Sequence, residues 1–196
     1  MKRVSISHVE ERARRIVDTA VELAEQGGFE AVRLRDVASK AGVALGTLYR
    51  RFRSKEDLLV AALEMEVEEV EARVCSRPPQ GQDARERVAA FFQTTTRAML
   101  RRPNLTRAML RAVASGEPEL SQKVAAFHGR VGLLIGRALR GEGNGEEPSD
   151  EEQRIADVLG QVWFASLVGW AGGLHGQGAV VEQTRRAAEL LIPATR

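Results

Sequence analysis

The chain has 196 residues, of which 43% are hydrophobic and 29% charged, and its formal net charge is +2. This composition fits a protein of one or two small domains, and no apolar run approaches the roughly 18 residues that a membrane-spanning helix requires. The basic N-terminus is not followed by the apolar core of a signal peptide. We therefore expect a soluble, cytoplasmic protein without a membrane partner.

Glycine, proline and the spacing of apolar residues divide the chain into about nine predicted helices. The first runs from His8 to Gln26 and ends at Gly27-Gly28, because glycine commonly follows a helix C-terminus. We expect Ser54 to cap the fourth helix, with Asp57 in its first turn. The sequence shows no convincing β alternation, so we expect an all-α fold. The other helices are predicted at about Leu34–Ala41, Leu45–Arg51, Ser54–Cys75, Asp83–Arg102, Leu105–Ser115, Leu120–Arg140, Glu151–Leu174 and Val180–Ile192.

Two polar segments separate these helices. Residues 76–82 (Ser-Arg-Pro-Pro-Gln-Gly-Gln) form a predicted linker and the best candidate for a domain boundary, although the fourth helix is expected to bridge the two parts. Residues 141–148 are rich in glycine and predict a loop.

The second and third predicted helices meet the requirements of a helix-turn-helix. This motif needs a small residue where the helices cross, a turn residue that tolerates positive φ, and apolar anchors on both helices. Ala38, Gly42 and Leu48 fill these positions at suitable spacing, and Val37 adds a second anchor. The pattern alone also fits an ordinary helical hairpin with solvated arginines.

The third helix would then be the one that reads DNA. Leu48 and Phe52 are predicted to face the core, which leaves the opposite side of the helix for DNA. Four basic residues and no acidic residue lie between Ala44 and Lys55, and such a cluster attracts a phosphate backbone. Lys55 also lies at a helix N-terminus, which favours phosphate. The residues predicted to contact DNA are Arg33, Ala44, Leu45, Gly46, Thr47, Tyr49, Arg50, Arg51 and Lys55.

Residues 28–59 resemble the signature of the TetR family of transcriptional regulators. They contain an Ala-x-x-Ala-Gly-Val turn, a Gly-Thr-Leu-Tyr reader helix and the run Phe-x-Ser-Lys-Glu-x-Leu-Leu. The resemblance implies a three-helix DNA-binding domain over residues 1–54. It also implies a helical bundle over residues 55–196 for ligand binding and dimerisation, with helix 55–75 bridging the two.

Two residues depart from that signature. The family commonly has serine or threonine before the second helix, where this chain has Arg33, so a cap worth about 1 kcal/mol is lost and a phosphate contact is offered instead. The family often has serine where this chain has Ala44, so one hydrogen bond to DNA that relatives can make is expected to be absent.

The last two predicted helices are expected to form a homodimer interface. Gly160, Gly169 and Ala171 allow close approach of helices, and the family resemblance implies that these helices pair with their twins. A dimer would place two reader helices about 34 Å apart on a pseudo-palindromic double-stranded operator.

A hydrophobic effector is expected inside the C-terminal bundle. Aromatic residues and methionines lie there at helical spacing with few polar groups, a pattern that suits a lipid, a steroid or an acyl thioester but is also common in plain cores. His128 is expected at the surface. The predicted pocket residues are Phe91, Phe92, Thr95, Met99, Leu105, Met109, Phe127, Val131, Trp163, Leu167 and Trp170.

A finer resemblance extends over most of the chain. Residues 11–24, Val32 with Leu34, residues 43–46, 97–99 and 105–109, and Val162-Trp163 are similar to the KstR group of steroid-catabolism repressors. This resemblance implies a repressor that leaves its operator when an acyl-CoA thioester binds. An activator, or a regulator that needs its ligand in order to bind DNA, would have the same fold.

An enzyme is the remote alternative. We find no nucleophile with a base partner, no metal-ligand cluster and no phosphate-binding loop in the sequence, so we expect no cofactor or bound metal. The three histidines are scattered, and the five glutamates between residues 64 and 71 are expected to form a solvated helix face. Cys75 stands alone, which indicates a plain thiol rather than a redox sensor.

Overall fold

The computed structural model describes residues 8–141 and 148–193, and every regular element in these ranges is a helix. The all-α expectation is therefore confirmed. Most of the predicted glycine-rich loop lies outside the described residues, as does the N-terminal basic segment. None of the helices in the described ranges is long and apolar enough to span a membrane. The helices are α1 His8–Ala31, α2 Leu34–Lys40, α3 Leu45–Arg51, α4 Lys55–Ser76, α5 Ala84–Leu100, α6 Pro103–Val113, α7 Ser121–Arg140, α8 Asp150–Ala171 and α9 Gln177–Leu191, with a short 3-10 helix at Pro118–Leu120.

Two compact units share this chain. The first unit contains the described residues up to Glu64 together with Pro103–Leu120, and the second contains Met65–Arg102 and the described residues from Ser121 onward. Helix α4 begins in the first unit and ends in the second. The functional boundary expected between residues 54 and 55 stays a prediction.

Helix α1 is interrupted at the two glycines where the sequence predicts its end. Gly27 has φ −141° and ψ 17°, and Gly28 has φ 67° and ψ −159°, so neither residue is helical. One further helical stretch follows and carries Phe29 and Glu30. The kink therefore redirects these two side chains relative to the long first part of α1.

Helices α2 and α3 form the predicted helix-turn-helix in the first unit. Gly42 adopts φ +66° at the turn, and the amide of Val43 donates to the carbonyl of Ala38 at 3.0 Å. Ala38 is 3% exposed and Leu48 is fully buried, as their expected positions require. The long packing contact of α1 with α6 completes this unit.

The start of α4 carries the predicted cap. The backbone N–H of Asp57 donates to Ser54 Oγ at 3.0 Å, and Asp57 Oδ2 in turn accepts from the backbone N–H of Arg53 at 3.0 Å. This reciprocal pair satisfies two amide groups at the helix entry. It fixes where α4 begins and hence where Lys55 lies.

The second unit packs α5 against α7 and α9, and α8 against the same two helices. Phe91, Phe92 and Trp163 are buried in it, with ring centroids 5.2 Å apart for the two phenylalanines and 5.8 Å for Phe92 and Trp163. Helix α8 begins with a capping box made by Ser149 and Glu152. These aromatic contacts form the centre of the unit.

The glutamates of α4 are more than a solvated face. Glu66 pairs with Arg102 at 2.6 Å, and Glu71 pairs with Arg130 of α7 at 2.8 Å. The hydrogen bond from Arg130 is the main cause of a lowered pKa of the Glu71 carboxyl. Hence the second half of α4 is tied to α7 by charge, which helical periodicity could not indicate.

Candidate functional site

Helix α3 presents a polar surface to solvent. Tyr49 is 50% exposed, and Arg50 and Arg51 are exposed beside it. Arg50 Nη2 donates a hydrogen bond of 3.1 Å to Thr47 Oγ1, so these two side chains orient each other. The reader-helix residues can therefore be reached from outside the molecule. Of the other residues predicted to contact DNA, Arg33, Ala44 and Gly46 are exposed, and Leu45, Thr47 and Lys55 are half-buried.

A groove beside α3 gathers three of the predicted DNA-contacting residues. Arg33 precedes α2, Tyr49 lies on α3 and Lys55 begins α4, yet all three line one concavity of about 460 Å³. Arg35 lines the same groove and was not predicted, although it lies only two residues after Arg33. Cations and a phenol around one concavity provide charge and hydrogen-bond donors for phosphate oxygens. The other lining residues are Val32, Leu34 and Asp36.

The two helices of the motif begin without side-chain caps. Arg33 precedes α2 with φ −109° and ψ 125°, and Ala44 precedes α3 with φ −65° and ψ 139°, so both have the usual backbone conformation of a capping residue. Neither side chain accepts a hydrogen bond from its helix. The loss of a cap expected at Arg33 is thus confirmed.

Lys55 has close partners at the end of α1. Its Nζ lies 3.3 Å from Glu30 Oε2 and 3.9 Å from the centre of the Phe29 ring. The hydrogen bond from Lys55 is the main reason why the pKa of Glu30 is lowered, and Arg111 contributes as well. The sequence indicates the charge of Lys55 and its position at a helix N-terminus but not these partners.

The second unit contains an open cavity of about 750 Å³ between the end of α4, the segment after it and α5. Phe91 and Thr95, two of the residues predicted for the effector pocket, line it, and their contact with an effector stays a prediction. Arg73 and Arg77 also line it and were not predicted. The other lining residues are Val70, Ala72, Val74, Ser76, Pro78, Pro79, Gln80, Ala90 and Thr94.

The remaining predicted pocket residues lie elsewhere. Leu105 and Met109 are buried in the first unit, whereas the others belong to the second unit. Met99 is half-buried on α5. The predicted pocket residues that are buried in the second unit but do not line the large cavity are Phe92, Phe127, Val131, Trp163, Leu167 and Trp170.

A smaller concavity of about 350 Å³ lies between α7 and α8, and His128 lines it. The imidazole is half-buried rather than at the surface as expected, because it packs 5.1 Å from both the Phe127 and the Phe164 rings. Burial lowers the pKa of His128. Within residues 8–141 and 148–193, no group of three or more metal-ligating side chains comes together.

Two family models together match most of the chain. The model of bacterial regulatory proteins of the tetR family matches residues 16–62, which include the helix-turn-helix and the start of α4. The model of a tetracyclin repressor-like C-terminal domain matches residues 81–191.

Two individual proteins are similar to this chain along nearly its whole length. The HTH-type transcriptional repressor KstR of Rhodococcus jostii is 37% identical over 182 residues, which cover 93% of this chain and 83% of that protein. The crystal structure of a TetR transcriptional regulator from Rhodococcus sp. RHA1 superposes with a TM-score of 0.82 at 27% identity and covers 95% of this chain and 97% of that one.

A more distant structure shares the fold. Thermus thermophilus FadR, a TetR-family transcriptional repressor crystallised with lauroyl-CoA, has a TM-score of 0.67 at 22% identity and covers 94% of this chain and 96% of its own.

Proposed function

The chain belongs to the tetR family of bacterial regulatory proteins and is a DNA-binding transcriptional repressor, and from this premise we propose that a hydrophobic small molecule releases it from its operator. The proteins that it resembles are regulators and not enzymes. We propose that it acts in the cytoplasm.

The groove beside α3 is the observation that carries the DNA-binding part of the proposal. Arg33, Arg35, Tyr49 and Lys55 line it, and the exposed face of α3 lies next to it. We propose that the groove holds backbone phosphates while α3 enters the major groove. Phosphate contacts fix the register of a protein on DNA, and contacts to base edges then specify the sequence.

The cavity of the second unit supports a hydrophobic effector. Its volume of about 750 Å³ lies within the range of small-molecule sites, and Val70, Val74 and Phe91 give it apolar walls. The Thermus thermophilus relative was crystallised with an acyl-CoA. We propose that the effector is a lipid, a steroid or an acyl-CoA thioester and that it binds in this cavity.

Apolar side chains on α8 and α9 support the proposed homodimer. Val158 and Val168 of α8 and Leu190 of α9 are 42%, 38% and 87% exposed. Such side chains gain free energy when a partner covers them. We propose that two copies pair through these helices and bind a pseudo-palindromic operator.

Release from DNA requires the effector to bind the two states of the protein unequally. A ligand with equal affinity for the DNA-bound and the free conformation would shift nothing. We propose that the effector prefers a conformation in which the two copies of α3 no longer match the operator spacing.

Fluorescence anisotropy of a labelled duplex from upstream of the protein's own gene tests this proposal. We expect binding that survives excess nonspecific competitor and weakens when a steroid-derived or long-chain acyl-CoA thioester is added. Binding that strengthens with a thioester would indicate a ligand-dependent DNA binder. Specific binding that no thioester changes would contradict the thioester effector.

Two substitutions test the assigned groove in the same assay. Tyr49→Ala and Lys55→Ala should each weaken operator binding while the circular dichroism spectrum and the oligomeric state stay unchanged. Arg97→Ala, which removes an exposed cation of the second unit, is the matched control and should bind normally. Normal operator affinity in both groove variants would contradict the site.

A further inference from the structure

We propose that Arg111 of α6 is a positioning residue for the phosphate contact of Lys55 and that it acts through the carboxylate of Glu30. The inference rests on the proposed function, because it assumes that Lys55 faces DNA. It adds a residue on a helix outside the helix-turn-helix, and it assigns Glu30 a part in DNA binding.

Two consecutive residues at the end of α1 hold both cations. Lys55 Nζ lies 3.9 Å from the centre of the Phe29 ring, and Arg111 Cζ lies 4.0 Å from it. Such distances suit favourable cation–π contacts. Phe29 is itself 9% exposed, so its ring is a fixed support for the two cations.

Glu30 is shared between the same two cations. Its Oε2 lies 3.3 Å from Lys55 Nζ, and its Oε1 lies 2.9 Å from Arg111 Nη1. The carboxylate therefore uses one oxygen for each partner. Both cations contribute to the lowered pKa of Glu30, which is ionised at neutral pH.

The charge of this cluster decides what Lys55 offers to a phosphate. Lys55 and Arg111 bring two positive charges against the single negative charge of Glu30, so one positive charge remains. If Arg111 is removed, Lys55 and Glu30 form a neutral pair and their attraction for phosphate falls. Arg111 thus offsets a carboxylate that would otherwise neutralise the lysine.

Arg111 also affects where the ammonium group lies. Lys55 is 27% exposed in its side chain and lines the groove with Arg33, Arg35 and Tyr49. Without Arg111, both oxygens of Glu30 become available to Lys55 and draw its Nζ towards α1, away from the groove. The loss of positive charge and the displacement of Lys55 Nζ then both weaken the phosphate contact.

The expected effect is modest because the bridging groups face solvent. The side chains of Glu30 and Arg111 are 71% and 60% exposed. Ion pairs at such sites contribute little, so loss of Arg111 should weaken DNA binding about two- to fivefold. The same exposure means that substitutions here should leave the fold intact.

The test uses full-length protein and a duplex that the wild-type protein enriches from a random-sequence pool. Operator affinity is measured by anisotropy over a range of salt concentrations for R111Q, E30Q and E30Q/R111Q. R107Q is the matched control, because it removes an exposed arginine one turn earlier on the same helix. Circular dichroism confirms that each variant is folded.

We expect R111Q to bind about two- to fivefold more weakly, with a salt dependence reduced by up to about one phosphate contact. E30Q/R111Q restores the charge of the cluster and should return to wild-type affinity within about twofold, while E30Q alone should bind at least as tightly as the wild type. R107Q should stay near the wild type. This pattern distinguishes charge from structure, because a purely structural tie between α1 and α6 would be broken by E30Q and not repaired by the double variant.

Two results would overturn the inference. R111Q with wild-type affinity and salt dependence would show that the Lys55 contact is independent of α6. E30Q/R111Q as weak as R111Q would show that Arg111 acts without Glu30, for example by touching DNA itself. Failure of the proposed function would look different, because wild-type protein would then enrich no duplex, and the inference would fall with it.

Discussion

The indole N–H of Trp163 on α8 donates a hydrogen bond of 2.8 Å to the hydroxyl oxygen of Thr96 on α5, and both residues are buried. This bond adds a polar contact to the aromatic centre of the second unit, where the Trp163 ring packs 5.8 Å from Phe92. The bond joins α5, which forms part of the cavity wall, to α8, which contributes Trp163 to the core of the second unit.

Thr96→Val should destabilise the protein by about 1–3 kcal/mol, because valine keeps the shape of threonine but leaves the buried indole N–H without its acceptor. Urea unfolding followed by circular dichroism gives the change in free energy. In a Trp163→Phe background the same substitution should cost much less. An equal cost in both backgrounds would mean that the hydrogen bond is not the source of the stability.

Ala90→Phe should make the repressor less sensitive to its effector. Ala90 is half-buried in the wall of the large cavity, and a phenyl ring there takes up space in the proposed effector site. Release of labelled operator by the thioester that acts on the wild type should require at least about tenfold more of it, a loss of about 1.4 kcal/mol. DNA affinity without thioester should not change. Unaltered release would place the effector outside this cavity.

Arg33→Ser should raise stability and lower DNA affinity in one step. The residue already has the backbone conformation of a cap, so serine should add about 0.5–1 kcal/mol to the free energy of unfolding. The lost cation should weaken operator binding and reduce its salt dependence by about one phosphate contact.

Ala44→Ser is the matched control for that substitution. It adds a cap to α3 without removing a charge, so stability should rise while the salt dependence of binding stays unchanged. If both serine variants lost DNA affinity with the same change of salt dependence, the groove would not be using the charge of Arg33.

His128 should make the fold less stable at mildly acidic pH. Burial lowers the pKa of the folded-state imidazole below its ordinary value of 6.5, so the unfolded chain binds the proton more readily. The stability contribution of the neutral ring is therefore complete above the unfolded-state pKa and is lost as the pH falls through it towards the folded-state pKa. His128→Asn should flatten this part of the stability curve in urea titrations at successive pH values. Identical slopes for the wild type and the variant would exclude His128 as the source.

The DNA-binding motif could be predicted from the sequence because the geometry of the motif requires a particular type of residue at each of these positions. Ala38 is small at the crossing, Gly42 takes a positive φ at the turn and Leu48 anchors the second helix. The cap made by Ser54 and Asp57 is equally local. Requirements of this kind involve residues close together in the chain, so a single sequence displays them.

The cavity and the Lys55 cluster could not be predicted in the same way. Phe92 and Trp163 have the spacing of core residues whether they line a cavity or fill a core, and the cavity is lined in part by the segment after α4. Glu30 and Arg111 lie far apart in the chain and carry ordinary surface charges. Their pairing follows from the packing of α1 on α6, which periodicity alone does not reveal.

The kink in α1 restricts the handedness of the residue at position 28, and not the size of its side chain. A Cβ added to Gly28 would meet no atom within 4 Å, yet φ 67° with ψ −159° is a conformation that only glycine adopts readily among the natural residues. The mirror image of this conformation is the ordinary polyproline region. A D-alanine placed at position 28 by chemical ligation would therefore adopt these backbone angles without the strain of about 1–3 kcal/mol that they impose on L-alanine. At this position the backbone angles select against an L-residue by handedness, although the space around an L-methyl group is open.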